Sequence, residues 1–184
     1  GIQSSVGKFD FSGNDNQLAW SGVGQGQDTL CPINMLQYMG AIANGGKRMK
    51  VTMLKSVKSY TLDETVYEHE PEVAQLIDEP EAIKTVQEGM IAASRIGTAA
   101  GTFANYPITV GSKTGTPERG DGLCNAVFIA YAPAEDPEIA VAVVVEKGWE
   151  GYQIAPVARE IFDAYFFTQG DAASGGSGYG TLAP

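Results

Sequence analysis

Between Val110 and Pro117 the chain reads Val-Gly-Ser-Lys-Thr-Gly-Thr-Pro, so Lys113, Thr114, Gly115 and Thr116 place a cation, two hydroxyls and a glycine in consecutive positions. The run closes an apolar-polar alternation of strand type, in which successive side chains point to opposite faces. Lys113 and Gly115 then share one face, and Thr114 and Thr116 share the other. Such a strand offers positive charge and hydroxyl donors to a carboxylate. At Gly115 it also offers backbone that no Cβ shields, where an extended peptide can approach and pair with the strand edge. This is the chemistry of holding an acyl-peptide terminus beside a strand. Lys-Thr-Gly alone also occurs on ordinary solvated strands, where threonine is a common strand former, so its surroundings have to separate the two readings.

The tripeptide is one member of a serine acyl-transfer set that also contains Ser-x-x-Lys and a Ser-x-Asn-type motif. Two stretches near the start match in letters, Ser5-Val6-Gly7-Lys8 and Ser12-Gly13-Asn14. Both read as accidental. A serine-lysine pair works one turn apart at the start of a buried helix, whereas Gly7 interrupts this one and Phe9-Asp10-Phe11-Ser12-Gly13 follows in place of an apolar helical pattern. The two motifs also nearly touch.

Five segments carry a family resemblance: Leu18-Ala19-Trp20-Ser21-Gly22-Val23-Gly24-Gln25-Gly26, Ile42-Ala43-Asn44-Gly45-Gly46, Gly97-Thr98-Ala99, Gly111-Ser112-Lys113-Thr114-Gly115-Thr116, and Phe128-Ile129-Ala130-Tyr131-Ala132-Pro133. In this order, from about Asn16 to Phe167, the chain resembles the C-terminal half of the transpeptidase domain of class B penicillin-binding proteins. The resemblance implies a peptidoglycan D,D-transpeptidase that cross-links the cell wall and is acylated by β-lactams. It makes Lys113 the catalytic cation on the cleft wall, and gives Thr114, Gly115 and Thr116 to substrate binding. The Thr116 backbone N–H becomes the second oxyanion donor, a catalytic role. The implied partners are the peptidoglycan stem peptide, β-lactams, and the remaining N-terminal part of the domain, in the same or a separate chain. The nucleophilic serine is expected outside this chain, which by itself should be inactive. The resemblance further implies extracytoplasmic action by a parent protein anchored in the cytoplasmic membrane, with any anchor upstream of Gly1. Three relatives of the same fold stay open as alternatives: a β-lactam sensor, a serine β-lactamase and a non-catalytic binding module.

Composition narrows the field. The 184 residues and 43% hydrophobic content suffice for a real core. A formal charge of −10 argues against nucleic acid and anionic membrane surfaces, both of which call for clustered Lys and Arg. No apolar run approaches the roughly 20 residues of a membrane span, and the first residues lack a signal-peptide pattern. Cys31 and Cys124 are far apart and in no ligand spacing, so neither zinc nor a disulfide framework is indicated, and both read as small apolar residues. The acidic run from Asp63 to Glu81 lacks the alternating loop and central glycine of a calcium site. His69, among acids in Glu68-His69-Glu70-Pro71-Glu72, reads as a surface residue. Gly22-Val23-Gly24-Gln25-Gly26 opens no βαβ unit, so a dinucleotide site is not expected. No cofactor or metal is implied. Trp20, Trp149 and Tyr152 could line a cleft or pack at its rim.

The periodicities predict an α+β fold in which helices cover an antiparallel sheet with strands near 108–116, 124–132 and 139–146. Residues 1–16 read as an irregular entry segment, 17–168 as the C-terminal part of the transpeptidase domain, and 169–184 as a disordered Gly/Ser-rich tail. A helix is expected over Cys31 to Asn44, with Pro32 in its first turn and Gly45-Gly46 at its stop. A hairpin is expected over Met49 to Tyr67, and a helix capped by Asp78 over the residues before Gly97. The Ala140–Val145 run suits a central strand covered on both faces. Ile154 to Phe167 has the amphipathic spacing of a covering helix.

Overall fold

A computed structural model describes residues 7–8, 15–22 and 29–168. Ser5, Ser12-Gly13-Asn14, Val23 to Gly26 and the tail from Gly170 lie outside the described residues. The elements in order are α1 (Asp15–Gly22), α2 (Pro32–Ala43), β1 (Lys47–Met49), β2 (Ser56–Lys58), β3 (Thr65–Glu68), β4 (Val73–Leu76), α3 (Pro80–Arg95), α4 (Ala100–Phe103), β5 (Gly111–Gly115), β6 (Ala126–Ala132), β7 (Ile139–Val145), a 3₁₀ turn (Gly151–Ile154) and α5 (Ala155–Phe166).

The expected meander forms: β5, β6 and β7 pair antiparallel in sequence order. Alternation along β6 separates two cores. Phe128 and Ala130 face a cluster with Phe103, Val110, Ala158 and Phe162, built on α4 and α5. Here the Phe103 ring stacks on Phe128 at 6.0 Å and meets Phe162 at 6.1 Å. Ile129 and Tyr131 face the opposite cluster with Met39, Ile42, Ala43 and Met90, built on α2 and α3. β6 is therefore the buried middle strand. Gly111 fits beside it because a Cβ there would penetrate the Tyr131 ring.

Pro32 opens α2 and two glycines close it. Gly45 and Gly46 take positive φ of 75° and 104°, and the Gly46 N–H returns to the Ala41 carbonyl at 2.7 Å. Along α3 the buried positions are Ile83, Met90 and Ser94, an apolar stripe that ends on a hydroxyl.

Four expectations change. The Met49–Tyr67 hairpin becomes two separate ladders, β1 with β4 and β2 with β3, because residues 73–76 return to pair with 47–49 and leave 56–68 as the projecting hairpin. Helix α3 has Glu79, not Asp78, at its N-cap, and no side chain caps it; Pro80 at the first position already removes one orphan N–H. A helix, α1, starts at Asp15 and runs through Leu18-Ala19-Trp20 where no helix was expected. The apolar run of β7 lies at the outer side of the described sheet, with Val144 and Val145 exposed at its end. Composition reports the burial a strand is suited to, not how many strands flank it.

Candidate active site

Strand β5 pairs with β6 along one edge only, and its other edge has no strand partner among the described residues. Register fixes where each side chain points. Lys113 lies opposite Ile129 and Gly115 opposite Val127, while Ser112 and Thr114 lie opposite Ala130 and Phe128 on the other face. The alternation read from the sequence holds in the folded strand as far as Gly115, where β5 ends one residue before Thr116. Gly111 and Ser112 are buried, Lys113 and Thr116 are exposed, and Thr114 and Gly115 are half-buried. The strand rises out of the core just where the cation and hydroxyls begin.

The Lys113 ammonium is exposed and donates to the neighbouring Thr114 carbonyl. Thr114 Oγ1 lies 3.1 Å from Thr98 Oγ1, in the turn after α3. Thr116 Oγ1 accepts the Gly151 N–H at 3.1 Å, which ties the end of the run to the 3₁₀ turn. One rung earlier, Ser112 Oγ and Ser94 Oγ are 2.7 Å apart and both side chains are buried. A Cβ on Gly115 would sit 3.2 Å from Val127 Cβ. A Cβ on Gly151 would come within 2.8 Å of the Gly115 nitrogen and closer still to the Gly115 and Val127 carbonyl oxygens. Glycine at 115 leaves room beside the Val127 side chain, and glycine at 151 lets the 3₁₀ turn close on the backbone of the paired strands.

After Thr116 the chain folds on itself. Glu118 bridges Cys124, the Arg119 N–H reaches the Leu123 carbonyl at 2.7 Å, and Gly122 takes φ of 77°. The Asp121 carboxyl sits below the usual carboxylate range, chiefly through the Leu123 N–H and then through Arg119. Two cavities, of about 550 and 280 Å³, flank α2 and have no residue of the Lys113–Thr116 run in their walls.

The other sequence candidates separate from this edge. Lys8 is exposed, and its backbone exchanges hydrogen bonds with Thr29 in an extended bridge at 2.9 Å in both directions, not in the first turn of a helix. His69 meets Tyr67 on the projecting hairpin. Cys31 donates to Asn34 Oδ1, and Cys124 is half-buried. Trp149 and Tyr152 are exposed on the turn that carries Gly151, and Trp20 is exposed on α1. Among the described residues there is no cluster of His, Cys, Asp and Glu suited to a metal, and no helix long and apolar enough to cross a membrane. Sequence reading missed Ser94, Ser112 and Gly151, and gave Thr98 no role. Ser94 carried one signal, as a hydroxyl on an otherwise apolar helical stripe.

The model of the penicillin-binding protein transpeptidase domain matches residues 3–164. The chain belongs to the penicillin-binding protein transpeptidase family. It is 35% identical over 159 residues to penicillin-binding protein 2A of Bacillus subtilis, covering 76% of this chain and 22% of that protein. It is 34% identical over 152 residues to the peptidoglycan D,D-transpeptidase PbpA of Mycolicibacterium smegmatis, covering 77% of this chain and 30% of that protein. Among solved structures, penicillin-binding protein A from M. tuberculosis in its imipenem acyl-enzyme complex superposes with a TM-score of 0.79 at 27% identity, over 89% of this chain and 37% of that one. The family resemblance and the α+β fold read from the sequence are both borne out. This member of the penicillin-binding family spans less than a third of the curated relatives quoted.

Proposed function

We propose that this chain forms one wall of a peptidoglycan D,D-transpeptidase active site, with Lys113, Thr114, Gly115 and Thr116 as the docking edge for a D-alanyl-D-alanine terminus. The reading rests on one observation: a strand that leaves the core at Lys113 and presents a cation, two backed hydroxyls and an edge with no strand partner among the described residues. A stem peptide laid along that edge would add a strand, its backbone pairing with β5 and its terminal carboxylate meeting the Lys113 charge and the threonine hydroxyls. The Thr116 backbone N–H would contribute to the oxyanion hole.

The serine nucleophile comes from sequence outside these 184 residues. It attacks the penultimate D-alanine carbonyl, the peptide bond to the last D-alanine breaks, the released amine takes a proton, and an acyl ester remains. An amine from a neighbouring strand of peptidoglycan then attacks the ester and restores the serine hydroxyl. A β-lactam presents the same carbonyl-carboxylate pair and acylates the same serine, as the relative's acyl-enzyme structure is named for. The site works on the cell-wall side of the membrane, and the parent's anchor and the rest of the domain lie beyond this chain. That remainder packs against the outer edge of β7, whose apolar run suits a strand with neighbours on both sides. In domain terms, residues 17–168 are the C-terminal part of the transpeptidase domain, 1–16 its entry and 169–184 a tail.

Fluorescent penicillin labelling tests this. The full-length parent is labelled and releases the label slowly, Lys113→Ala lowers the acylation rate at least tenfold with folding intact, and this 184-residue chain alone is not labelled. Labelling of the chain alone would move the nucleophile inside it. Rapid hydrolysis of the label would make the parent a β-lactamase, and a parent that never labels would make it a binding module.

A further inference from the structure

Thr114 and Thr116 are each met from behind by a group that can donate to them. At Thr116 the direction is fixed by chemistry: the Gly151 N–H has no acceptor capacity, so Thr116 Oγ1 accepts at 3.1 Å and its own proton stays available. At Thr114 the neighbour is the Thr98 hydroxyl at 3.1 Å, which can donate or accept. A carboxylate offers only lone pairs, so a bound carboxylate selects the arrangement in which Thr98 donates to Thr114 and Thr114 donates to the ligand. Each bond then polarises the next.

The position of Thr98 is built in. Ser94 and Ser112 form a buried hydroxyl rung at 2.7 Å, which holds the end of α3 against β5 one step before Thr114. The two rungs advance by four residues on the helix side and two on the strand side. The backbone between them turns tightly: a Cβ on Gly97 would sit 2.8 Å from Ala93 Cα, and the Ala99 N–H returns to the Ala93 carbonyl at 3.0 Å. Only a residue without a side chain brings Thr98 back onto the strand in this way.

We propose that Thr98 is a positioning residue for carboxylate recognition, which orients the Thr114 hydroxyl as a donor just as the Gly151 N–H orients that of Thr116. The proposal rests on the docking-edge reading above and assigns Thr98 no contact with the reacting atoms.

The test uses the full-length parent and two probes, a fluorescent penicillin and its methyl ester, which lacks the carboxylate charge. Acylation rates are measured over a range of concentrations for wild type, Thr98→Val, Thr98→Ser and Lys113→Ala. Thr98→Val is expected to raise the half-saturating concentration of the acid roughly two- to tenfold, the value of one hydrogen bond. It should leave the limiting rate and the ester's kinetics near wild type, and Thr98→Ser should restore the acid. If Thr98→Val slows acid and ester alike, or changes neither, Thr98 is part of the scaffold alone and the proposal is overturned. Lys113→Ala keeps the two readings apart. Wild-type acylation of the acid by Lys113→Ala removes the docking edge itself, whereas a slow Lys113→Ala with an acid-to-ester preference untouched by Thr98→Val removes only the role given to Thr98.

Discussion

Gly151→Ala puts the contact between the 3₁₀ turn and strand β5 to a direct test. The added methyl would lie 2.8 Å from the Gly115 nitrogen and nearer still to the carbonyl oxygens of Gly115 and Val127. These are backbone atoms on two paired strands, so they cannot swing aside as a side-chain tip would. Relief requires the turn and the strand edge to part by roughly an ångström, an overpacking that costs about 1–3 kcal/mol. The movement also stretches the bond from the Gly151 N–H to Thr116 Oγ1, now 3.1 Å. For a chain of this size the expected fall in Tm is about 3–10 °C. Gly89→Ala is the control with opposite sign. Gly89 lies within α3 with nothing near its missing Cβ, so alanine should stabilise by about 0.5–1 kcal/mol through helix propensity. Urea unfolding and thermal melts of the two variants beside wild type, followed by circular dichroism, decide the matter. A Gly151→Ala protein within about 0.5 kcal/mol of wild type would refute the close approach. A loss of stability in Gly89→Ala would show that glycine replacement destabilises this chain for some other reason.

The buried Ser94–Ser112 pair should behave as a unit. Either single alanine leaves a hydroxyl buried without a partner, at about 1–3 kcal/mol, while the double alanine should cost no more than the worse single, a coupling that a urea double-mutant cycle reads directly. Alkaline stability should depend on Tyr106. Its hydroxyl donates to Asp163 at 2.8 Å, and burial first, then that carboxylate, raise its pKa well above the ordinary tyrosine value. The unfolded chain loses this proton near pH 10 while the folded chain keeps it, so the contribution is complete below that pH and is lost as pH rises beyond it. Tyr106→Phe should flatten the decline above about pH 10 in urea titrations. Tyr131, whose pKa is raised by burial and then by Glu135, supplies part of what remains. An unchanged slope in Tyr106→Phe would dismiss the link to Asp163.

Local rules were enough for most elements. Pro32 and Gly45-Gly46 bracket α2, the apolar spacing of Ile154 to Phe167 becomes α5, and the three-strand meander follows runs whose alternation and turns are written in order. The alternation of Lys113, Thr114, Gly115 and Thr116 is also a purely local property, because period two holds for any strand. What the chain could not state by itself was partnership across distance. Residues 73–76 pairing with 47–49, Ser94 closing on Ser112, Thr98 on Thr114 and Gly151 on Gly115 each join positions 16 to 36 residues apart. No periodicity encodes such pairings, since they depend on how helices and turns pack over the sheet. The residue types in Lys-Thr-Gly-Thr therefore set which chemistry is possible. Packing alone decided that the Gly151 N–H meets the Thr116 hydroxyl and the Thr98 hydroxyl meets that of Thr114, and that the outer edge of β5 has no strand partner among the described residues.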